Sequence, residues 1–558
     1  MPKIEVLMFS VFYRIEKFLR TQYKLWYFLK KIYYFLIFKK KIRSQFKIKL
    51  KNLKNFKQKK IFIPLIETSH YQIFHLLALA KTLSLRGHQL KILICDGFLE
   101  GCEIKSFINK DDKNPCWSCK NNIKQILPFF GLDYISYKDL INTKDQKKIN
   151  DLTKKFSKNK QIKIEYKKFD LTKSVQESLV RYFYGNKFFS EHNKIRSNHI
   201  KTALKSIIFA EKFSKHWNPD IILNNMPVYS AWEPFFIFFG KQKKRLVTLS
   251  LTPLNKQGIF FNLFELLISG NRFKNFRISR NNKNLNISEK RQLKLFIQNR
   301  INATDDHIVK NKIIINDNKK TFELSEILKK NKNKNKKNIF LFTNVYWDIG
   351  LLSQAGIYKD VISWTLDTIN KLKNDDNINV FIKTHPAEIN ETSPSLTTLE
   401  NVIKDKIGKL PKNVTFINPT LKINIYHLKE YIDLAVIFTG TLGLEMMMLN
   451  VPVVNVGAVP YDKLRLSIKP KNKELYYNEL RKKKNINPNF KKEILDLYCY
   501  FYFIKTTLPW NLTKKAYGHR FNGYNFSSIK DLLPGKNKQL DHLCDCIIDS
   551  KKVPENWN

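Results

Sequence analysis

Short apolar runs recur along the chain. Each is followed by a polar or glycine-bearing turn and then by apolar positions at helical spacing. Residues 59–66 (Lys-Lys-Ile-Phe-Ile-Pro-Leu-Ile) read as a buried strand, and Glu67, Thr68, Ser69 and His70 as its exit turn. Ile73, Leu76, Leu77, Leu79, Ala80 and Leu83 mark one face of a helix over 71–86, and Gly87 is the expected stop. A further strand follows at 89–95. A strand–helix–strand unit of this kind predicts parallel pairing through a right-handed crossover. It lacks the G-x-G-x-x-G spacing, so no dinucleotide is indicated. Residues 125–215 read as mainly helical and polar, with Tyr182 and Phe183 among their apolar anchors. A strand at 219–224, a helix at 230–239 and a strand at 245–251 complete a first α/β unit.

The alternation resumes at 339–343 (Ile-Phe-Leu-Phe-Thr), with helical spacing over 350–372 and apolar runs at 380–382, 434–438 and 451–457. Polar and glycine residues sit where these strands end. That is the layout of a doubly wound α/β domain, whose ligands bind outside the carboxyl ends of the strands. The expected fold class is α/β: two Rossmann-like domains facing across a cleft, with a basic helical extension at the N-terminus. The expected divisions are the extension at 1–57, a first domain at 58–255, a connector and Lys/Asn-rich linker at 256–337, a second domain at 338–462, and a helical region at 463–558 packing back on both. Residues 328–338 (Leu-Lys-Lys-Asn-Lys-Asn-Lys-Asn-Lys-Lys-Asn) read as solvated linker. Two such domains suit transfer from a donor on one side to an acceptor on the other.

Charge adds a second layer. Among 558 residues, 100 Lys and Arg outweigh 48 Asp and Glu, for a formal net charge of +52. Such a surface attracts polyanions, but the lysines are spread throughout, as expected of solvated side chains. No aromatic residues interleave the Lys-rich linker for base stacking, so no specific nucleic-acid partner is expected. Residues 23–39 mix Trp, Tyr, Phe and Leu with Lys. Two readings of that segment stand side by side: a helix lying in the interface of an anionic membrane, or one packed on its own domain. Its apolar runs are too short to span a bilayer.

The seven cysteines include Cys95, Cys102, Cys116 and Cys119. An odd count in a large chain argues for a reducing compartment rather than a disulfide framework. The C-x-x-C of Cys116 and Cys119 with two upstream thiols could ligate zinc, but the spacing is that of neither a ribbon nor a finger. Structural or free thiols are the expected reading, and no metal is expected.

In the second domain Lys383 supplies a point charge for phosphate, His385 a donor to a phosphate oxygen, and Pro386 stiffens the turn presenting them. Thr439, Gly440, Thr441 and Gly443 precede a helix bearing Glu445. Small residues there let backbone N–H groups approach phosphate, the hydroxyls add donors, and Glu445 could accept from ribose. The same glycines also suit close helix–strand packing. Asp348, after the first strand of this domain, would orient donor or acceptor. On the first-domain side, Glu67, His70 and Asp96 are the candidates for a catalytic base, which transfer to a hydroxyl requires.

These motifs resemble a family. Thr343-Asn-Val-Tyr-Trp-Asp348, Trp364 with Thr368 and Ile369, Lys383-Thr-His-Pro-Ala-Glu388, Asp433, Gly440-Thr-Leu-Gly-Leu-Glu445 and Pro452-Val-x-x-x-Gly457 are similar to capsule polysaccharide biosynthesis glycosyltransferases. These are GT-B enzymes related to Kdo- and sialyl-transferring groups with a His-Pro motif. The resemblance covers about 339–462 and, more loosely, 59–255, where Arg86-Gly-His88 follows an Ala/Leu helix. It implies a nucleotide-sugar donor held by His385 and the 440–445 turn, with no metal or cofactor. It also implies a polysaccharide or lipid-linked acceptor and a cytoplasmic enzyme peripheral to the inner face of the membrane. The acidic motif of some relatives finds only a partial echo in Cys95-Asp96-Gly97. A teichoic-acid-type CDP-alditol phosphotransferase and a non-enzymatic polyanion-binding protein are the alternative expectations.

Overall fold

The computed structural model describes residues 58–66, 72–102, 105–106, 115–158, 162–185, 192–251, 258–263, 284–302, 318–333, 335–348, 356–389, 394–421, 423–483, 491–505, 507–509, 512 and 524–549, with positions 18, 22, 25, 28, 29 and 32 of the N-terminal stretch. Most of the expected N-terminal extension therefore lies outside the described residues, as do Glu67 and His70.

The first domain begins β1 (Lys60–Leu65), α1 (Gln72–Leu85), β2 (Gln89–Ile94), α2 (Pro115–Phe130) and β3 (Tyr134–Ser136). Then come α3 (Thr143–Lys158), a small hairpin of β4 (Glu165–Tyr166) and β5 (Phe169–Asp170), α4 (Thr172–Phe183) and α5 (His192–His216). It closes with β6 (Ile221–Asn224), α6 (Tyr229–Lys241), β7 (Arg245–Leu251) and β8 (Gly258–Leu263). The helix α7 (Ile287–Ile301) and then α8 (Asn318–Asn333) lead to the second domain. That domain runs β9 (Lys337–Phe342), α9 (Val361–Leu372), β10 (Ile378–Lys383), α10 (Leu399–Ile407), β11 (Val414–Ile417), β12 (Leu434–Ile437), α11 (Leu442–Met448) and β13 (Val453–Asn455). After it come α12 (Lys473–Arg481), α13 (Lys492–Tyr500), β14 (Thr507–Pro509) and α14 (Lys538–Ile548).

The strands form a seven-stranded sheet in the order β14-β8-β7-β6-β1-β2-β3 and a five-stranded sheet in the order β11-β10-β9-β12-β13. In each, the first strand of the domain lies centrally, the next two build outward on one side, and the later ones on the other. This is the doubly wound order. The second sheet is parallel throughout. In the first, β8 runs antiparallel to β7 and β14 antiparallel to β8.

Side chains alternate across a strand, and the sequence uses the alternation to build two cores per sheet. Ile61, Ile63 and Leu65 face α1 and α2, whereas Phe62 faces the α3–α6 layer. Ile339 and Leu341 pack with Trp364 of α9 and Tyr476 of α12, whereas Phe340 and Phe342 pack with Phe296 of α7 and Tyr498 of α13. The C-terminal segment contributes to the first domain as well. Tyr524, Phe526 and Leu543 join the core under α1, and Arg86 pairs with Asp541 while donating to the Leu532 carbonyl at 2.9 Å.

Two expectations differ from the structure. Residues 328–338 are not a solvated linker, because they supply the last turns of α8 and the start of β9. Leu328 and Asn338 are fully buried. The Asn338 amide N–H donates to Asp433 Oδ2 at 2.8 Å, and its side chain donates to the carbonyls of Leu328 and Tyr431. The lysines hid two ordered elements, because lysine is a good helix former whose head stays in water. The helix expected over 350–372 is also shorter: Asp360 caps it by accepting from Ser363 N–H at 2.6 Å, and it begins at Val361.

The two domains touch through a small cluster. Tyr184, in left-handed conformation at the end of α4, packs with Val345 and Trp347 from the loop after β9. The Tyr346 hydroxyl donates to the Thr397 carbonyl at 2.7 Å and to that of Gly185 at 3.3 Å. The guanidinium of Arg181 stacks on both Tyr184 and Trp347.

Candidate functional site

Three neighbouring strands, β10, β9 and β12, end side by side at the carboxyl edge of the second sheet, where the direction of winding reverses. In a doubly wound sheet the connections leave this point to opposite faces and open a crevice. Hydrogen bonds tie the three loops together. Thr343 N–H donates to the Lys383 carbonyl at 3.1 Å, and the Asn344 side chain reaches the Thr439 carbonyl at 3.5 Å. The Thr439 hydroxyl donates to the Ala458 carbonyl at 2.7 Å. Gly440 takes φ +104°, a backbone region closed to side chains, so the turn out of β12 requires glycine there.

Lys383 closes β10, with its ammonium donating to the Thr384 carbonyl at 3.2 Å. Burial lowers its pKa to about 8, with Glu388 pulling the other way. Pro386 starts the tight turn Pro386–Ile389, in which Glu388 N–H donates to the His385 carbonyl at 3.0 Å. Inside that turn Ala387 N–H donates to His385 Nδ1 at 3.1 Å. A ring nitrogen that accepts carries no proton, so the neutral ring bears its proton on Nε2 and presents a donor there. Glu388 is 2 % exposed, and its Oε1 accepts from Leu399 N–H at the start of α10, at 2.9 Å. Burial raises its pKa to about 7 against the pull of Leu399, Thr384 and Lys383. Lys383, His385 and Glu388 thus bring a poised cation, a hydrogen-bond donor and a poised carboxyl to one strand end.

Other expected residues stand elsewhere. Asp348 is exposed in the loop that meets the first domain, its N–H donating to the Val345 carbonyl at 2.9 Å. Thr441 precedes α11, whose seven residues make barely two turns. Gly443 faces Tyr461, and a Cβ there would fall within the Tyr461 hydroxyl. Glu445 is 5 % exposed and accepts from the Tyr426 hydroxyl inside the core. Gly443 and Glu445 thus both make packing contacts, with Tyr461 and Tyr426 respectively.

In the first domain Asp96 takes φ +50° just past β2 and pairs with Lys120 at 3.4 Å and Lys138 at 3.6 Å. It borders a cavity with Cys95, Cys102, Cys116 and Cys119. Two ammonium groups thus face one carboxylate. Among the described residues no three His, Cys, Asp or Glu side chains are arranged to hold a metal ion.

Asn344 and Glu388 went unnamed as site residues in the sequence, although both sit inside the motif runs. Arg181 and Trp347 had no local signal, since they meet only across the domain contact.

No family model matches the chain, and no curated protein matches it. Solved structures similar to it include a KpsC β-Kdo 2,4-transferase from Thermosulfurimonas dismutans, with 12 % identity over 57 % of this chain and 88 % of that one and a TM-score of 0.34. A glycosyltransferase from Rickettsia africae has 11 % identity over 88 % of this chain and all of that one, at 0.26. A UDP-GlcNAc 2-epimerase from Methanocaldococcus jannaschii has 12 % identity over 78 % and 97 %, at 0.24. Likeness of this degree assigns no reaction.

Proposed function

We propose that the chain is a GT-B glycosyltransferase that moves a sugar from a nucleotide-sugar donor to a surface-polysaccharide or lipid-linked acceptor. The observation that carries this reading is the convergence of Lys383, His385 and the Gly440 turn at the winding reversal of the second sheet, beside its contact with the first domain. Glycosyl transfer needs positive or donor groups on the leaving phosphate. Lys383, with a pKa near 8, stays largely protonated at pH 7, and His385 Nε2–H adds a directional donor. The motif resemblance to capsule polysaccharide glycosyltransferases supports the same assignment. Thr439, Gly440 and Thr441 line the donor side, with Asp348 at the domain contact. The base comes from the first domain, with Glu67 and His70 preferred over the lysine-paired Asp96. No metal is required.

The acceptor reading draws on charge. Among the described residues no helix is long and apolar enough to cross a membrane. Phe18, Leu25, Phe28, Leu29 and Ile32 are exposed in a strongly basic stretch, which suits attachment to an anionic lipid surface at the inner face of the membrane.

A thermal-shift panel of CMP, CDP, UDP and GDP sugars tests the donor reading. One nucleotide class should stabilise the wild type and fail with His385→Ala. Equal stabilisation of both proteins would remove the donor site from this strand edge. Product mass spectrometry separates sugar transfer from alditol-phosphate transfer, since a phosphodiester in the product overturns the glycosyl assignment.

A further inference from the structure

Four of the seven cysteines border one small, partly open cavity at the carboxyl ends of β1 and β2, with room for about one water molecule. Cys95 and Asp96 come from the loop after β2, Cys102 from the segment beyond it, and Cys116, Cys119 and Lys120 from the first turns of α2. None of the seven is in a disulfide. The transfer reaction proposed above uses none of these thiols.

The thiols are not equivalent. Burial raises the pKa of Cys95, so that thiol keeps its proton. Cys116 and Cys119 are both half-buried. They stand three residues apart on one helical face, where Cα atoms are about 5 Å apart. That lies inside the ~4.4–6.8 Å range a disulfide spans. No three of these side chains are arranged to hold a metal ion, so the geometry favours pair chemistry over ligation.

We propose that Cys116 and Cys119 form a redox-active dithiol that exchanges with low-molecular-weight disulfides arriving from solvent at these half-buried thiols. One thiolate attacks the small disulfide, forming a mixed disulfide and releasing one thiol. The second cysteine then attacks the protein-side sulfur, closes the Cys116–Cys119 bond and releases the second thiol. Two electrons pass to the small disulfide, and the two protein thiol protons end on its products. Lys120, directly after Cys119, holds its ammonium 3.4 Å from Asp96.

The test uses the full-length protein, reduced, desalted and incubated with glutathione disulfide, then denatured and alkylated with N-ethylmaleimide. Expected are two fewer maleimide adducts than in the reduced protein, a Cys116–Cys119 link in the peptide map, and full reversal by dithiothreitol. Cys116→Ser and Cys119→Ser should each trap glutathione on the remaining cysteine, a readout that an unfolded variant would not confine to that site. A link to Cys95 or Cys102, a lasting mixed disulfide in the wild type, or an unchanged adduct count would each overturn the proposal. So would protection of all four thiols by bound zinc that a chelator removes, which would assign the cavity to a metal.

Discussion

Ala387 N–H donates to His385 Nδ1 at 3.1 Å, and this bond leaves the proton of the neutral ring on Nε2. His385→Asn keeps an acceptor near the Nδ1 position and deletes the Nε2 donor. A hydrogen bond to a charged group is worth ~1.5–3 kcal/mol. The variant should therefore bind its nucleotide sugar about tenfold to a hundredfold more weakly, with an unchanged melting temperature. Calorimetric titration checks this, and unaltered affinity would remove His385 from the site.

Glu388 and Lys383 make opposite predictions for stability and binding. The Glu388 carboxyl sits near 7 in the fold, above its ordinary value of 4.5. Between those values the folded state holds a proton that the unfolded state has released, so stability falls as pH rises and the full penalty stands above pH 7. Glu388→Gln keeps an oxygen for Leu399 N–H and removes the buried charge. It should gain ~1–3 kcal/mol at pH 8, shrinking to nothing below about pH 4.5. The same change removes the attraction that holds up the Lys383 pKa, so anionic-ligand affinity at pH 8 should drop. Urea unfolding and ligand titration across pH 5–8.5 would read both, and uniform destabilisation at every pH would refute the account.

Gly443 lies close against Tyr461 and Val453. Gly443→Ala would also bring a methyl to 3.3 Å from Val453 Cγ1 while colliding with the Tyr461 hydroxyl. Overpacking of this kind costs about 1–3 kcal/mol. Adding Tyr461→Phe should return part of it, as a double-mutant melting series would show. No recovery would place the strain elsewhere.

Tyr426→Phe leaves buried Glu445 without its hydroxyl donor and should destabilise by about 1–3 kcal/mol. Ribonucleotide and 2′-deoxyribonucleotide ligands should lose affinity equally, if at all. A loss selective for the ribonucleotide would return Glu445 to the ligand.

Trp347 joins the loop after β9 to the first domain, donating from Nε1 to Ser395 Oγ at 2.8 Å and lying under Arg181. Trp347→Ala should cost about 3–5 kcal/mol of packing and separate the domains, raising the radius of gyration in small-angle scattering. Unchanged scattering would show that the contact does not hold the domains together.

The sequence by itself determined the central strands of both sheets but not β3, β8, β11 and β14 at their edges. The apolar runs at 60–65, 89–94, 221–224, 337–342, 378–383 and 434–437 are nearly continuous because parallel strands are covered on both faces. Such a signal is local and survives without knowledge of neighbours. The turn residues Lys383, His385, Pro386 and Gly440 were legible for the same reason, since polar or glycine residues after an apolar run mark a strand end. Tertiary structure decided what these residues face. In the sequence the Gly440–Glu445 turn fits both a phosphate and close packing, because a glycine-rich helix start looks alike whether its neighbour is a phosphate or Tyr461. The lysine-rich run into β9 read as linker, because composition does not record that Asn338 bonds to Leu328, Tyr431 and Asp433. The meeting of Arg181 with Trp347 depends on chain segments brought together only by folding, and no spacing along the chain encodes that proximity.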